Sequence, residues 1–419
     1  MFIGSLIVFI NLAILCFADK NVNLGTVIFA NILYRHGDRT PIEPYPTDPY
    51  KNESLWPVPY GQLTNLGKIQ HFYMGQWLRN RYSHLLSDLY SPYDIYIRST
   101  DVDRTLMSAE TNLAGLYPPK ENQIWNSIRW IPIPVHTVPE LEDNVLAGKK
   151  YCQRYKFELD RVLESPKIKK INQDNKHLYD YLTEKTGMNV TSLEDVNRIY
   201  DTLYIEDLYN KTLPEWTKTV FPDKLKPLAA RSFTINAYNK ILQKLKMGLL
   251  FKEMINHMEK KSRNALIPDR KVWIYSAHDE TVANMLMTLN LFDPHCPPYT
   301  ATILIELRVN SKKEHFVTIS YKNTTGESNL LTLPGCITLC PLNKFIELTK
   351  DIIPEDWQKE CMMKYENNEY DMNTRTFVVI WRTSVMLLVL IVSLVTIFAY
   401  WHYKRKQNQY YLRLVTDPI

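Results

Sequence analysis

Arg35-His36-Gly37-Asp38-Arg39-Thr40-Pro41 sets a histidine between two arginines that are four residues apart, where the apolar run Thr26–Tyr34 ends. Two guanidiniums at that spacing make a fork-shaped site for a tetrahedral dianion. A histidine held between them is an imidazole nucleophile aimed at phosphorus. A bare Arg-His pair reads more plainly as a basic turn with a satisfied histidine. The full run resists that reading, because three cationic groups so close repel one another unless an anion is due.

Two more apolar runs end in loaded segments. Asp94–Ile97 leads into Arg98-Ser99-Thr100-Asp101-Val102-Asp103-Arg104, and Lys271–Tyr275 leads into Ser276-Ala277-His278-Asp279. Side by side, the three ends offer Arg35, Arg39 and Arg98 for phosphate oxygens, His36 as nucleophile, His278 as a further donor and Asp279 as a proton carrier. Phosphoryl transfer asks for charge neutralisation and in-line positioning, and little else. A leaving alkoxide also needs a proton, which a carboxylic acid supplies if its pKa is raised or the medium is acidic.

The elements that must hold these residues follow from periodicity. The three runs read as buried parallel strands, and helical patterns follow them at Asn65–Tyr82, Asp103–Leu116 and Glu280–Leu291. That alternation predicts an α/β fold, an open sheet flanked by helices with its site at the carboxyl ends of the strands. Tyr299–Arg308 and Phe316–Tyr321 alternate like an antiparallel pair joined by the Asn310–Lys313 turn, which makes the sheet mixed. The charged, helix-patterned stretch from Tyr151 to Lys261, strongest over Ile199–Tyr209 and Phe233–Met258, reads as an inserted helical cap subdomain spanning about 145–262.

Both ends of the chain carry processing or membrane signals. Phe2 to Phe17 is apolar and ends at Cys16-Phe17-Ala18, as in a secretory signal peptide of residues 1–18. No Lys or Arg precedes that run, so an uncleaved anchor is the alternative. Ser384 to Tyr400 holds no charge, is flanked by aromatic residues, and is followed by Lys404-Arg405-Lys406. With its aromatic ends it reaches bilayer-spanning length, and the basic cluster orients it with the C-terminus in the cytosol. The expectation is a luminal or extracellular domain over 19–365, a stalk at 366–380, a transmembrane helix at 381–403 and a cytoplasmic tail at 404–419. Sequons at Asn52, Asn189, Asn210 and Asn323 all fall on the predicted luminal side. Three of the five net positive charges sit in the tail, so the remainder is near neutral, which argues against nucleic-acid binding. Tyr411-Leu412-Arg413-Leu414 fits a tyrosine-based sorting signal for a cytoplasmic adaptor, with Tyr411 and Leu414 as its ends.

The Arg-His-Gly-Asp-Arg-Thr-Pro run and the later His-Asp pair resemble the histidine acid phosphatases, of the histidine phosphatase superfamily. The resemblance extends through Trp56-Pro57, Gly61-Gln62-Leu63-Thr64, Tyr96 to Asp101, Pro132 to Pro139 and Leu333-Pro334-Gly335-Cys336, and covers roughly Val22 to Cys361. It implies a phosphohistidine formed on His36 and phosphate held by Arg35, Arg39, Arg98 and His278. Asp279 would protonate the leaving group and then help activate water. No metal or cofactor is implied, since arginines do the neutralising. The resemblance further implies small phosphate monoesters as substrates, inhibition by tartrate and vanadate, a homodimer, and a lysosomal or cell-surface membrane location.

Disulfides Cys152–Cys361 and Cys336–Cys340 are also implied. The family's third pair falls at Ile205 and Thr302, and Cys296 matches none of its positions. Glu280 stands where relatives have Thr, so it could raise the pKa of Asp279 or repel anionic substrates. His136 reads as a loop histidine, and Asp38 and Asp101 as orienters of arginines. Two rivals to a general acid phosphatase stay open. One is a phosphatase of the same fold restricted to a lipid or nucleotide monoester; the other is a catalytically silent, membrane-anchored binding or sorting protein.

Overall fold

Thr26–Arg35 forms β1, a central strand of a seven-stranded mixed sheet. The structure is a computed structural model that describes residues 24–323, 326–363 and 370–416. The other strands are β2 (Ile95–Ser99), β3 (Val272–Ala277), β4 (Thr302–Val309), β5 (His315–Lys322), β6 (Asn329–Leu331) and β7 (Cys340–Pro341). Their order is β2-β3-β1-β4-β5-β6, with β7 paired to β5. β2 and β1 flank β3 in parallel, while β4, β5 and β6 run antiparallel to their neighbours. The three runs expected to be parallel strands therefore lie together, and all three deliver their carboxyl ends to one edge.

Strand pleating divides the core in two. Phe29 and Leu33 of β1 face one side and pack with Tyr275, Ile303 and Ile305. Ala30, Ile32 and Tyr34 face the other and pack with Ile97 and Ile274. Helices α1 (Asn65–Arg81) and α2 (Asp103–Leu116) cover the second face through Met74, Leu78, Ala109 and Leu113.

The cap contains α3 (Gln153–Leu163), α4 (Pro166–Asp174), α5 (Lys176–Thr186), α6 (Leu193–Leu208) and α7 (Leu225–Ser232). Its own core gathers Tyr179, Leu182, Val196, Ile199, Leu203 and Leu225. α8 (Lys240–Ser262) starts at the cap and ends on the sheet, where Phe251, Met254 and Met258 join the first face. It begins at Lys240 because Asn239 caps it, accepting from the amides of Ile241 and Leu242 at 3.1 Å. α9 (Asp279–Thr288), α10 (Leu342–Thr349) and α11 (Trp357–Cys361) complete this unit. The disulfides Cys152–Cys361 and Cys336–Cys340 are both formed, and Cys296 is free. Ile205 and Thr302, at the positions of the missing third pair, are both fully buried.

A second unit, residues 363–419, contains α12 (Tyr370–Thr416). Its segment Phe377–Asn408 is long and apolar enough to cross a membrane. The stalk expected over 366–380 is helical from Tyr370, and the helix runs on to Thr416 through the segment expected as a tail. Lys, Arg, Gln and Leu after Tyr403 are all good helix formers, which favours that continuation. The expected signal peptide, 1–18, lies outside the described residues.

Candidate active site

β1 ends at Arg35 and hands His36 to the sheet edge, where His36 donates its amide to Ala277 and accepts from Thr300. The imidazole is 1% exposed. Its Nδ1 lies 2.8 Å from the Gly37 carbonyl, and a carbonyl only accepts, so Nδ1 carries the proton. Nε2 therefore keeps its lone pair. Burial, and then the charges of Arg35, Arg104, His278 and Arg39, push the His36 pKa well below its ordinary value. The ring is a neutral base ringed by cations.

Gly37 is required by a close crossing. A Cβ there would collide with the backbone of Gly67 in α1. Thr64 caps α1 by accepting from the Gly67 amide at 3.2 Å, which fixes that helix beneath the motif. His71, one turn further on, bonds the Arg35 carbonyl at 3.0 Å.

Each motif arginine is held by a carboxylate. Arg35 pairs with Asp279 at 2.8 Å, donates to the Pro297 carbonyl at 2.5 Å and lies 4.3 Å over the Tyr299 ring. Arg39 grips both oxygens of Asp201, from cap helix α6, at 2.9 and 3.1 Å. Asp279 opens α9, and its Oδ1 accepts from the Glu280 amide at 2.8 Å. Burial would raise the Asp279 pKa, but Arg35 and then Arg39 outweigh it and hold the carboxyl below its usual range. His278 sits just before it, its ring 5.6 Å from that of His36. His278 Nδ1 faces Arg104 at 3.5 Å and Nε2 faces the Thr100 hydroxyl at 3.0 Å, so Nδ1 accepts and Nε2 donates. Burial and Arg104 push His278 down to about 3.

Arg98, expected among the phosphate ligands, is not at the site. β2 continues to Ser99, so Arg98 lies inside the pleat, paired in register with Tyr275. Its guanidinium bonds Asp143 at 2.7 Å and approaches Glu253 of α8 at 3.9 Å. Asp143 also accepts from the amides of Val145, Leu146 and Ala147, so the pair anchors a loop to the sheet.

The arginine that faces the site is Arg104, in the first turn of α2. It has no carboxylate partner among the described residues, and burial and Arg39 bring its pKa down to about 10. It stood in the same run as Arg98. Its distance beyond the strand end was the signal to read.

Three further expectations change. Asp38 is fully buried, but its carboxylate accepts from Thr64 and, at 2.7 Å, from Tyr209. Among the described residues Asp101 accepts only from Thr137, at 3.5 Å. Neither orients an arginine; Asp201, Asp279 and Asp143 do. Glu280 bonds Lys246 at 3.2 Å, and Asn236 and Asn284 at 3.1 and 3.3 Å, so its charge is compensated at the cap. His136 pairs with β2 through its backbone and stacks on Tyr96 at 4.6 Å, as expected of a loop histidine.

A cleft of about 580 Å³ opens over Arg35, Arg39 and Asp279, walled by Asp201, Glu194 and Cys296. Burial drives the Cys296 thiol up to about 12, so it is no nucleophile at ordinary pH. Among the described residues no cluster of His, Cys, Asp and Glu is built to hold a metal ion. Asn52, Asn189 and Asn210 are exposed and Asn323 is half-buried.

A family profile described as histidine phosphatase superfamily (branch 2) matches residues 26–322. Human prostatic acid phosphatase is 42% identical over 353 residues, covering 82% of this chain and 90% of the human protein. Rat lysosomal acid phosphatase is 37% identical over 375 residues, covering 88% of this chain and 87% of the rat protein. Among solved structures, the Citrobacter braakii phytase superposes with a TM-score of 0.62 at 17% identity, over 81% of this chain and all of its own. Hafnia alvei phytase in complex with myo-inositol hexakis sulphate gives 0.61 at 17% identity, over 81% of this chain and 98% of its own. These two share the fold.

Proposed function

Because the chain belongs to the histidine phosphatase superfamily, we propose that it is an acid phosphatase that hydrolyses phosphate monoesters through a phosphohistidine on His36. The observation that carries this reading is the free Nε2 of a buried, neutral His36 set among Arg35, Arg39 and Arg104. A phosphate dianion entering the cleft meets three guanidiniums, and its charge competes with Asp279 for Arg35 and with Asp201 for Arg39. Released from Arg35 and facing a dianion, Asp279 gains affinity for a proton. His36 Nε2 attacks phosphorus, the bond to the leaving oxygen breaks, and Asp279 passes its proton to that oxygen. Water then attacks the phosphohistidine, Asp279 takes the proton, and phosphate leaves from a regenerated His36. His278 takes a proton from water as the dianion arrives, and the Nδ1 that accepted from Arg104 becomes a donor toward the phosphate.

Support for placing the reaction in an oxidising lumen or outside the cell comes from the two disulfides, the exposed sequon residues Asn52, Asn189 and Asn210, and the apolar helix Phe377–Asn408. In this reading the chain is a type I protein of lysosomal or cell-surface membranes, homodimeric, and sorted through Tyr411 and Leu414. The test is hydrolysis of p-nitrophenyl phosphate by the purified protein across pH, with acid-labile label from a radioactive phosphate ester trapped on His36. His36→Ala should abolish both while the protein stays folded by circular dichroism. A folded wild type that shows neither label nor turnover at any pH overturns the reading.

A further inference from the structure

Cap helix α6 is tied to the motif loop that follows His36 at four points. Asp201 holds Arg39, Tyr209 donates to Asp38 at 2.7 Å, and Arg198 bonds Glu43 at 2.5 Å. The fourth point is different in kind. The Glu206 carboxyl meets that of Asp48, within hydrogen-bonding reach, with Glu206 0% and Asp48 1% exposed. Neither Glu206 oxygen has a donor, and the second Asp48 oxygen has none either; only Asp48 Oδ1 is used, by the Tyr50 amide at 2.6 Å.

Among the described residues no cation forms an ion pair with either carboxyl: Lys51 lies near enough to Asp48, and Lys211 to Glu206, to pull each pKa down, but both ammonium groups are bonded elsewhere. Lys51 donates to the Pro46 carbonyl at 2.8 Å, and Lys211 to the Leu55 carbonyl at 3.1 Å while lying over the Tyr50 and Trp56 rings. Tyr45, 1% exposed, faces both carboxyls with an unpartnered hydroxyl; Tyr60 faces Asp48 from the loop beyond, with Glu53 near it. Lys185, at the end of α5 against the same loop, is taken by Glu184. Two ionised carboxylates buried side by side without a counter-ion repel and lose their hydration, whereas one shared proton turns the contact into a strong hydrogen bond. Among the described residues no group could place a metal ion there instead.

We propose that Asp48 and Glu206 share a proton that latches α6 to the motif loop, making them positioning residues that keep Asp201 on Arg39. Asp201 and Glu206 lie on the same helix, about 7.5 Å apart along its axis. Loss of the proton puts two negative charges between α6 and the loop and pushes the helix off the motif. The latch is closed in acid and strained in alkali. Burial, and then Asp48, raise Glu206 to about 9. Its unfolded value is roughly 4.3. The folded protein therefore holds a proton that the unfolded chain has lost, so stability is full below the lower value and falls as pH rises toward the upper one. The step to turnover rests on the phosphatase reading; the latch does not.

The experiment uses the full chain in detergent and compares wild type with Glu206→Gln, whose amide donates permanently. Difference infrared spectra should show a buried protonated carboxyl in the wild type at neutral pH that disappears in Glu206→Gln. Between pH 5 and 8 the wild-type unfolding constant should rise by up to about tenfold per pH unit more steeply than that of the variant. Inorganic phosphate should bind the wild type more weakly at pH 10 than at pH 8, as the pair loses its proton and Arg39 loses the carboxylate that orients it, a loss that Glu206→Gln relieves. Should Glu206→Gln not fold, Asp48→Asn carries the same expectations. Absence of the carboxyl band, or identical pH dependence of unfolding in both proteins, overturns the latch. Phosphate affinity that falls equally in both proteins overturns its reach to Arg39. A protein that hydrolyses no phosphate ester yet shows the band and the altered unfolding curve fails the phosphatase reading alone.

Discussion

Arg104 reaches His278 from the first turn of α2, whereas Arg98 is committed to Asp143 within the sheet. Arg104→Ala should lower kcat/KM by about 10²–10³, the loss seen when one donor is removed from a charge-stabilising site. Arg98→Ala should leave turnover within a few fold. It strands a buried Asp143 carboxylate, and denaturant unfolding should show a loss of ~1–3 kcal/mol. Equal activity losses in the two variants would mean that the clamp is drawn wrongly. Asp279 carries the pH argument. Arg35 holds its carboxyl low in the free enzyme, and in the proposed mechanism it becomes a donor only when substrate takes Arg35. Activity should therefore fall toward alkaline pH as the complex loses that proton, while His36, held low, stays unprotonated into the acid range. Asp279→Asn should slow alkyl phosphates by about 10²–10⁴, and aryl phosphates with good leaving groups much less, with little change in phosphate binding. At this scale the sequence was legible for His36, Arg35, Arg39, His278 and Asp279, which cluster in short runs. Arg104 was hidden by an uncertain strand end. Asp201 was hidden because its partner lies 162 positions away and no local pattern marks it.

The elements were legible wherever burial leaves its pattern in the apolar residues. β1, β2 and β3 and helices α1 and α2 fall within two residues of the runs and patterns that mark them, because an apolar run marks a buried parallel strand and the helical period marks a helix with one face on the core. The cap was harder. Phe233 to Met258 reads as one helical stretch, yet Asn239 caps α8 and the preceding residues turn, a local hydrogen-bond choice that periodicity does not register. The decisive contact between elements is the crossing of the motif with α1 at Gly37 and Gly67, which also puts His71 under the Arg35 carbonyl. Gly37→Ala should force α1 and the motif apart at a cost of about 1–3 kcal/mol. Since His36 rides on that backbone, kcat should collapse more than thermal stability does. A variant with wild-type kcat and a lowered melting temperature would show that the crossing supports the fold and not the nucleophile.

At the scale of the whole chain, the candidate site and all the clustered core residues lie before Met362, and the apolar helix lies after it. The last ties of the first unit are Cys361 to Cys152 and Trp357, whose indole donates to the Leu245 carbonyl at 2.9 Å. A chain stopped after Met362 keeps both, and loses the second unit, which holds the apolar span Phe377–Asn408 and the Tyr411–Leu414 motif but no residue of the candidate site. Burying some 20 apolar residues in a bilayer is effectively irreversible in the absence of detergent. The full chain should accordingly stay with membranes through alkaline carbonate washing, while the shortened chain should appear in the soluble fraction of the secretory pathway. Both should show the same kcat/KM for p-nitrophenyl phosphate once the full chain is in detergent, because no residue of the clamp lies beyond Met362. A full chain released by carbonate would contradict the spanning helix. A soluble, folded short form with altered kcat/KM would mean that the second unit contributes to catalysis.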